Sequence, residues 1–313
     1  MADSLLHDRA EAAQRQVSTV IRGKSAAVRL LFTALFAEGH VLMEDIPGVG
    51  KTTLAKALAR TVGMEFNRIQ FTPDLMPADI LGASVYSPKD GTFTFRKGPV
   101  FTHLLLADEI NRASPRTQSA LLEAMNERQV SIDGKMEKLV EPFLVIATEN
   151  PVEYYGTFPL PEAQLDRFAI QLSLGYPDAE SERGLLNDRR RSDPLDGLSP
   201  VLSLDELLQI SREVKAVALE DSVQDYMLQI IQATREAPEL RLGASPRALL
   251  ILARCAQASA WLDGRNFTTP EDVRLLVRPV LAHRMILTLE SKHAGVVPGE
   301  ILDSILKKIK VPV

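Results

Sequence analysis

One short segment constrains the fold of this chain more than any other. The run Pro47-Gly48-Val49-Gly50-Lys51-Thr52-Thr53 follows an apolar stretch, residues 40–43, and precedes a helical pattern over residues 54–60. Glycines between a strand and a helix let backbone N–H groups approach phosphates closely, and the helix N-terminus adds a favourable positive field. The segment therefore predicts a phosphate-binding loop in an α/β domain of the P-loop NTPase class.

Two side chains of this loop have predicted roles with a bound phosphate chain and Mg²⁺. Lys51 supplies a point charge to the β- and γ-phosphates, and the Thr52 hydroxyl is placed to ligate Mg²⁺. The general pattern begins with glycine, whereas this chain has Asp45 at that position. The alternative interpretation is a glycine turn that carries a surface lysine.

The two halves of the chain show different patterns. Up to about residue 176, short apolar runs alternate with helical patterns, which is typical of a parallel sheet flanked by helices. The predicted strands are residues 40–43, 65–71, 103–107, 143–147 and 168–174. From residue 177 to residue 313 the pattern is helical throughout, with helix starts predicted at Ser203, Ser245 and Thr269. We therefore expect one domain over residues 1–176 and a smaller all-helical domain over residues 177–313.

Polar residues follow two of the predicted strands. Asp108 and Glu109 end an apolar run, and Asn150 follows the next one. Open α/β sheets bind ligands at the carboxyl ends of their strands. Downstream of a phosphate-binding loop, Asp108 is expected to hold Mg²⁺ with Thr52, and Glu109 to polarise the attacking water. Asn150 is expected to orient that water, and the alternative is a turn residue before proline.

Two hairpins are predicted within the first domain. Asp90-Gly91 precedes the alternating run over residues 92–95, and Asp133-Gly134 follows the run over residues 130–132. Asp-Gly between alternating segments favours a tight hairpin turn.

Composition excludes several classes of protein. The net charge of −5 opposes a dedicated nucleic-acid binder, and a single cysteine, Cys255, excludes an intrachain disulfide framework. The five histidines lack metal-ligand spacing with one another. The first 15 residues lack an apolar signal core, and no run approaches the ~18 apolar residues of a membrane helix. We expect a cytoplasmic protein without membrane insertion.

Together these motifs resemble the AAA+ ATPases, and specifically the MoxR family. The resemblance is carried by residues 45–52, 108–113, 118–125, 147–151, 156–168 and, in the second half, 243–247. It implies an ATP-binding α/β domain followed by a helical lid.

The resemblance also implies roles that spacing alone does not show. Arg167 corresponds to an arginine finger that reaches the γ-phosphate on a neighbouring subunit, and the alternative is an ion pair with Asp166 or Glu162. Arg247 corresponds to a second sensor that lid movement carries to or from the phosphate, and the alternative is a solvated arginine. Val20 and Ile21 correspond to one wall of the adenine pocket, or equally to a core edge.

At the level of function, the resemblance implies an ATP-driven remodelling chaperone. The expected assembly is a homo-hexamer, with a von Willebrand factor A domain protein as partner and with protein clients. The two hairpins would face a central pore, where Phe93, Phe95 and Lys135 contact a client. A nucleic-acid motor and a slow, nucleotide-dependent binding scaffold are the alternatives, and the acidic balance opposes the former.

Overall fold

The first half of the chain builds a helix-flanked sheet. The computed structural model describes residues 4–89, 91–150, 156–188 and 193–312. Its elements up to residue 172 are α1 (Ser4–Val20), α2 (Ser25–Phe36), β1 (His40–Glu44), α3 (Lys51–Thr61), β2 (Phe66–Gln70), α4 (Pro77–Leu81), β3 (Gly82–Ser87), β4 (Thr92–Lys97), β5 (Leu104–Asp108), α5 (Pro115–Glu127), β6 (Gln129–Ile132), β7 (Lys135–Lys138), β8 (Leu144–Glu149), α6 (Glu162–Leu165) and β9 (Phe168–Leu172).

The central sheet has five parallel strands in the order β2-β5-β8-β1-β9. β5 is buried along its whole length, and β1 and β8 are buried except at their last residues. Strands covered by helices on both faces read as continuous apolar runs, and β1, β5 and β8 show this pattern in the sequence. Because the strands are parallel, the residues that follow β1, β5 and β8 meet at one edge of the sheet.

Both predicted hairpins are present. β3 pairs with β4 in antiparallel register, and β6 pairs with β7 in the same way. Asp133 and Gly134 both have positive φ, which is the backbone of the tight turn that an Asp-Gly pair favours. Asp90, in the other predicted turn, lies outside the described residues, as does Pro151.

The second half is built mainly of helices. Its elements are α7 (Ala179–Asp188), α8 (Leu204–Ala216), α9 (Asp221–Glu236), β10 (Leu240–Leu242), α10 (Pro246–Leu262), α11 (Pro270–Leu281), β11 (Ile286–Leu287), α12 (Leu289–His293) and α13 (Pro298–Lys308). Ser203, Ser245 and Thr269 cap α8, α10 and α11 as predicted. The short antiparallel pair of β10 with β11 was not predicted, because runs of two and three residues leave no periodicity to detect.

The two halves share one apolar core. Residues of α1, α2, β1 and α3 form a single buried cluster with residues of α8, α9, α10 and α11. α10 lies against α2 and β9, and Cys255 and Trp261 on α10 are buried as expected. A second cluster fills the other face of the sheet beneath α5. Within the described residues, no helix has the length and apolar character needed to cross a membrane.

Candidate nucleotide site

The turn after β1 has the backbone of an anion cradle. Gly48 and Gly50 adopt φ values of +85° and +101°, in the region that favours glycine. No atom lies within 4 Å of where a Cβ would stand at either position, so packing does not select these glycines. Gly50 is the N-cap of α3, and the turn therefore presents backbone N–H groups and a helix N-terminus to open space.

Lys51 is half-buried at the start of α3. Its Nζ donates to the carbonyl oxygen of Asp45 at 2.7 Å. Burial lowers the pKa of Lys51, and the nearby carboxylates of Asp45, Asp108 and Glu109 oppose that shift. The lysine therefore lies in the field of the same acids that the sequence assigned to metal binding and water activation.

Asp45 occupies the position where the general loop pattern has glycine, and the structure gives the reason. Its buried carboxylate accepts hydrogen bonds from the backbone N–H groups of Leu174 and Gly175, the latter at 3.1 Å. The side chain ties the phosphate-binding loop to the segment that leaves β9. The departure from the pattern is thus a tether between two walls of the site.

Asp108 ends β5 next to the loop and is buried. Its Oδ1 accepts from the Thr148 hydroxyl at 2.6 Å, and its Oδ2 accepts from Nε and Nη2 of Arg68 at 3.1 and 2.7 Å. Thr148 lies on β8 and Arg68 on β2, the strands on either side of β5. The sequence analysis missed both partners, because neighbours across a sheet depend on strand order.

Glu109 has a backbone in the left-handed region, with φ of 56°. Its N–H donates to Thr148 Oγ1 at 2.9 Å. Its Oε2 accepts from Gln70 Nε2 at 2.8 Å and from Arg112 Nη1 at 3.1 Å. The carboxylate is therefore oriented by residues of its own chain. Gln70 was missed, although it is the last residue of a strand and in register with Asp108.

Asn150 is buried directly after β8, at the same edge of the sheet. The residue before it, Glu149, stands opposite Glu44 in the sheet register. Burial and the nearby carboxylate of Glu44 raise the pKa of Glu149 to about 7. The strand ends therefore carry a second carboxyl group that the sequence analysis did not assign, close to the predicted water-orienting residue.

A cavity of about 330 Å³ lies beside the phosphate-binding loop. Val20 and Ile21, predicted for the adenine pocket, line it together with residues of the loop: Pro47, Gly48, Val49, Gly50 and Thr53. Tyr176, Pro177 and Ser181 form the opposite wall and were not predicted. The cavity is continuous with the loop and has one apolar wall, as a base next to a phosphate chain requires.

The oxygen ligands at this edge fit Mg²⁺. The Thr52 hydroxyl and the Asp108 carboxylate are the hard donors that this ion prefers, and it usually keeps several water and phosphate ligands. Among the described residues, no three His, Cys, Asp or Glu side chains come together to form an all-protein cage. Oδ2 of Asp108 accepts from Arg68 and Oδ1 accepts from Thr148, so Asp108 would hold the ion through water.

Arg167 and Arg247 lie at the amino ends of the strands, opposite the edge that carries the phosphate-binding loop. Both line a groove of about 460 Å³ with His40, the first residue of β1, and Ala169, near the start of β9. The phosphate-binding loop follows the opposite end of β1, about 16 Å away for a five-residue strand. In this structure Arg247 therefore lies away from the phosphate-binding loop of its own chain, and its role as a second sensor stays a prediction.

Asp166, the residue before Arg167, connects this segment to the segment that carries Arg247. Its carboxylate accepts from Ser245 Oγ at 3.1 Å and from Arg284 Nε at 3.0 Å. Ser245 caps α10, whose second residue is Arg247, and Arg284 is buried. Among the described residues, no ion pair joins Arg167 to Asp166 or Glu162, so the ion-pair alternative for Arg167 is not what the structure shows.

Comparison with protein-family models identifies two regions of the chain. Residues 40–170 match the model described as the ATPase family associated with various cellular activities, or AAA. Residues 232–305 match the model described as the AAA lid domain. The first match spans the strands and loops that carry the site, and the second spans α10 and its neighbours.

Relatives of similar length match nearly the whole chain. Uncharacterized protein YeaC of Bacillus subtilis is 46% identical over 98% of this chain and 96% of its own. Chaperone MoxR1 of Mycobacterium tuberculosis is 39% identical over 95% of this chain and 81% of its own. A crystal structure from Cytophaga hutchinsonii, provisionally described as an ATPase, has a TM-score of 0.92 and 37% identity, and the match covers 98% of this chain and 96% of that one.

Proposed function

The chain belongs to the MoxR family of AAA+ ATPases, and from this premise we propose that it hydrolyses ATP in a site shared between adjacent copies of itself. Hydrolysis would drive the remodelling or maturation of protein clients. The observation that carries the proposal is the placement of Arg167 and Arg247 at the edge of the sheet opposite the chain's own phosphate-binding loop.

Residues of one chain supply binding and water activation. The backbone of residues 47–50 and the Lys51 ammonium hold the phosphates, while Val20 and Ile21 face the base. Glu109 accepts a proton from the attacking water, and its orientation by Gln70 and Arg112 fixes the direction of that transfer. Asn150 holds the same water from the adjacent strand end.

Thr52 and Asp108 would hold Mg²⁺. When bound, the ion neutralises charge on the β- and γ-phosphate oxygens. Arg68 holds the Asp108 carboxylate between β2 and β5, so the ligand is fixed before a nucleotide arrives.

The neighbouring chain would supply the remaining positive charge. A hydrogen bond from Ser245 to Asp166 connects the segments that carry Arg247 and Arg167, so the two arginines can approach a neighbour's γ-phosphate together. Guanidinium groups at that position stabilise the charge that develops in the transition state. A ring, with a hexamer as the family expectation, repeats this heterologous contact at each interface.

The hairpins supply candidate client contacts. Phe93 on β4 is 73% exposed and lies against Tyr86 on β3, while Met136 on β7 is 70% exposed. Phe95 instead packs against Phe101, so its expected contact with a client is not supported by its placement. Exposed aromatic and methionine side chains at hairpin tips suit binding of varied apolar segments. We propose that Phe93 and Lys135 contact the client, and that a von Willebrand factor A domain protein presents it.

The first test is steady-state ATP hydrolysis per chain over a wide range of protein concentrations. A shared site predicts specific activity that rises with concentration until assembly is complete. Glu109→Gln is the matched control: it should retain ATP binding and lose more than about 100-fold in kcat, in the range of a lost general base. Constant activity down to concentrations at which the chain is monomeric would contradict the shared site. No hydrolysis at any concentration would favour a binding scaffold.

A further inference from the structure

The groove that holds Arg167 and Arg247 contains two more arginines. Arg128, at the end of α5, and Arg254, on α10, line the same cavity. Arg254 lies seven residues after Arg247, two helical turns along the same face and about 10 Å away. The groove is therefore lined by four guanidinium groups from three separate parts of the chain.

Positive charge in this groove is poorly compensated. Among its described lining residues, Glu38 is the single carboxylate, and its Oε2 is paired with Lys215 Nζ at 2.6 Å. Nη1 of Arg254 is buried and makes no hydrogen bond to any described residue. A partly buried cation without a partner is costly, and the usual relief is an anion with several acceptor oxygens.

His40 lies in the electrostatic field of the arginines that line the groove. It is buried at the floor of the groove, where Nδ1 accepts from the Val145 backbone N–H at 3.1 Å. Burial, together with the charges of Arg128 and Arg247, lowers the pKa of His40 to about 4. The histidine therefore stays neutral at neutral pH, and the arginines keep their charge for a ligand from outside the chain.

We propose that Arg254 binds the phosphates of the ATP held by the neighbouring copy of this chain, as a third cation beside Arg167 and Arg247. The proposal rests on the shared site described above and adds a residue to it. A triphosphate has the charge and the spread of oxygens to meet guanidinium groups spaced along one helix face. Arg128, whose Nη2 donates to the Glu38 carbonyl at 3.0 Å, forms the rim of the groove.

The test measures ATP affinity in a Glu109→Gln parent, at a dilute and at an assembled protein concentration. Because Arg254 acts from the neighbour, Arg254→Gln should weaken ATP binding about tenfold at the assembled concentration, which corresponds to ~1.4 kcal/mol. It should leave affinity at the dilute concentration unchanged. Arg254→Lys should retain part of the effect, because it keeps the charge but loses the planar fork. Arg212→Gln, an exposed arginine on α8 outside the groove, is the matched control.

Three results would overturn the inference. Unchanged affinity in both Arg254 variants at both concentrations would show that Arg254 touches no phosphate. Equal weakening at both concentrations would place its effect inside its own chain. Single-stranded DNA that binds the parent at low salt and is released by Arg254→Gln would make nucleic acid the anion.

The same experiment separates this inference from the shared site. If the parent shows no dependence of ATP affinity on protein concentration, both fail. If the parent shows that dependence and Arg167→Ala removes it while Arg254→Gln does not, the shared site stands and the role of Arg254 falls.

Discussion

Asp45 stands where the general loop pattern has glycine, and its side chain has a structural role there. Its carboxylate joins the phosphate-binding loop to Leu174 and Gly175, at the start of the segment that forms the far wall of the nucleotide cavity. The loop and that wall are therefore positioned relative to each other before a nucleotide binds.

We expect Asp45→Asn to cost about 1–3 kcal/mol of folding free energy, because the replacement loses the charge-assisted part of the hydrogen bonds to two backbone N–H groups. ATP affinity should fall as well, since the wall and the loop are no longer tied. Urea unfolding and nucleotide titration measure the two effects, with exposed Asp74→Asn as the control. An Asp45→Asn protein as stable as wild type would contradict a stabilising role for the Asp45 carboxylate.

Glu149 gives the nucleotide-free protein a dependence on pH. Its pKa is raised from 4.5 to about 7 in the folded chain. Between these values the folded state binds more protons than the unfolded state, so stability from this group falls as pH rises through that window. In the Glu149→Gln variant, the free energy of unfolding should fall by about 2–3 kcal/mol less between pH 4.5 and 7.5 than it does in the wild type. Chemical denaturation at several pH values tests this, and parallel curves for the two proteins would contradict it.

At the scale of elements, the contact between the end of α6 and the start of α10 positions the two arginines that we propose act on a neighbouring chain. Arg284 is buried, and burial lowers its pKa while the carboxylate of Asp166 opposes that shift. Removing the carboxylate leaves a buried guanidinium without its charged partner, which is costly. The contacts of Asp166 thus stabilise the fold and connect the segments that carry Arg167 and Arg247.

We expect Asp166→Ala to destabilise the protein by about 3–5 kcal/mol, the range for breaking a buried pair. The double variant Asp166→Ala/Arg284→Met should recover part of that loss, because it removes the unpaired charge. It should not recover hydrolysis, because Ser245 still lacks its acceptor. Urea unfolding and ATPase rates should be measured for the wild type, the two single variants and the double variant. Additive losses in stability would show that the two side chains are independent.

The elements that carry the site were predictable where the signal was local. The five strands, the glycine turn between β1 and α3, the two hairpins and three helix caps were confirmed, because periodicity, glycine turns and capping residues act over a few positions. Arg68, Gln70 and Thr148 were missed, because they reach Asp108 and Glu109 only through the strand order β2-β5-β8. A polar residue at the end of β2 was the one sequence feature that pointed to these contacts.

At the scale of the whole molecule, the position of the lid could not be read from sequence. The pattern of α10 predicts a helix with a buried face, but not that this face packs on α2 and β9. That packing places Arg247 beside His40 rather than beside Gly50. We therefore propose that Arg247 acts on a neighbour's nucleotide, and that one chain carries two incomplete halves of a site.

Mixing two inactive variants tests whether these halves complete one another across an interface. Lys51→Ala lacks phosphate binding but keeps its arginines, and Arg167→Ala keeps its phosphate-binding loop. Each alone should be inactive. In random mixed rings about a quarter of the heterologous interfaces pair an intact loop with an intact arginine, so hydrolysis should reappear on mixing. A mixture no more active than its separate components, or an Arg167→Ala protein as active as wild type, would contradict the account.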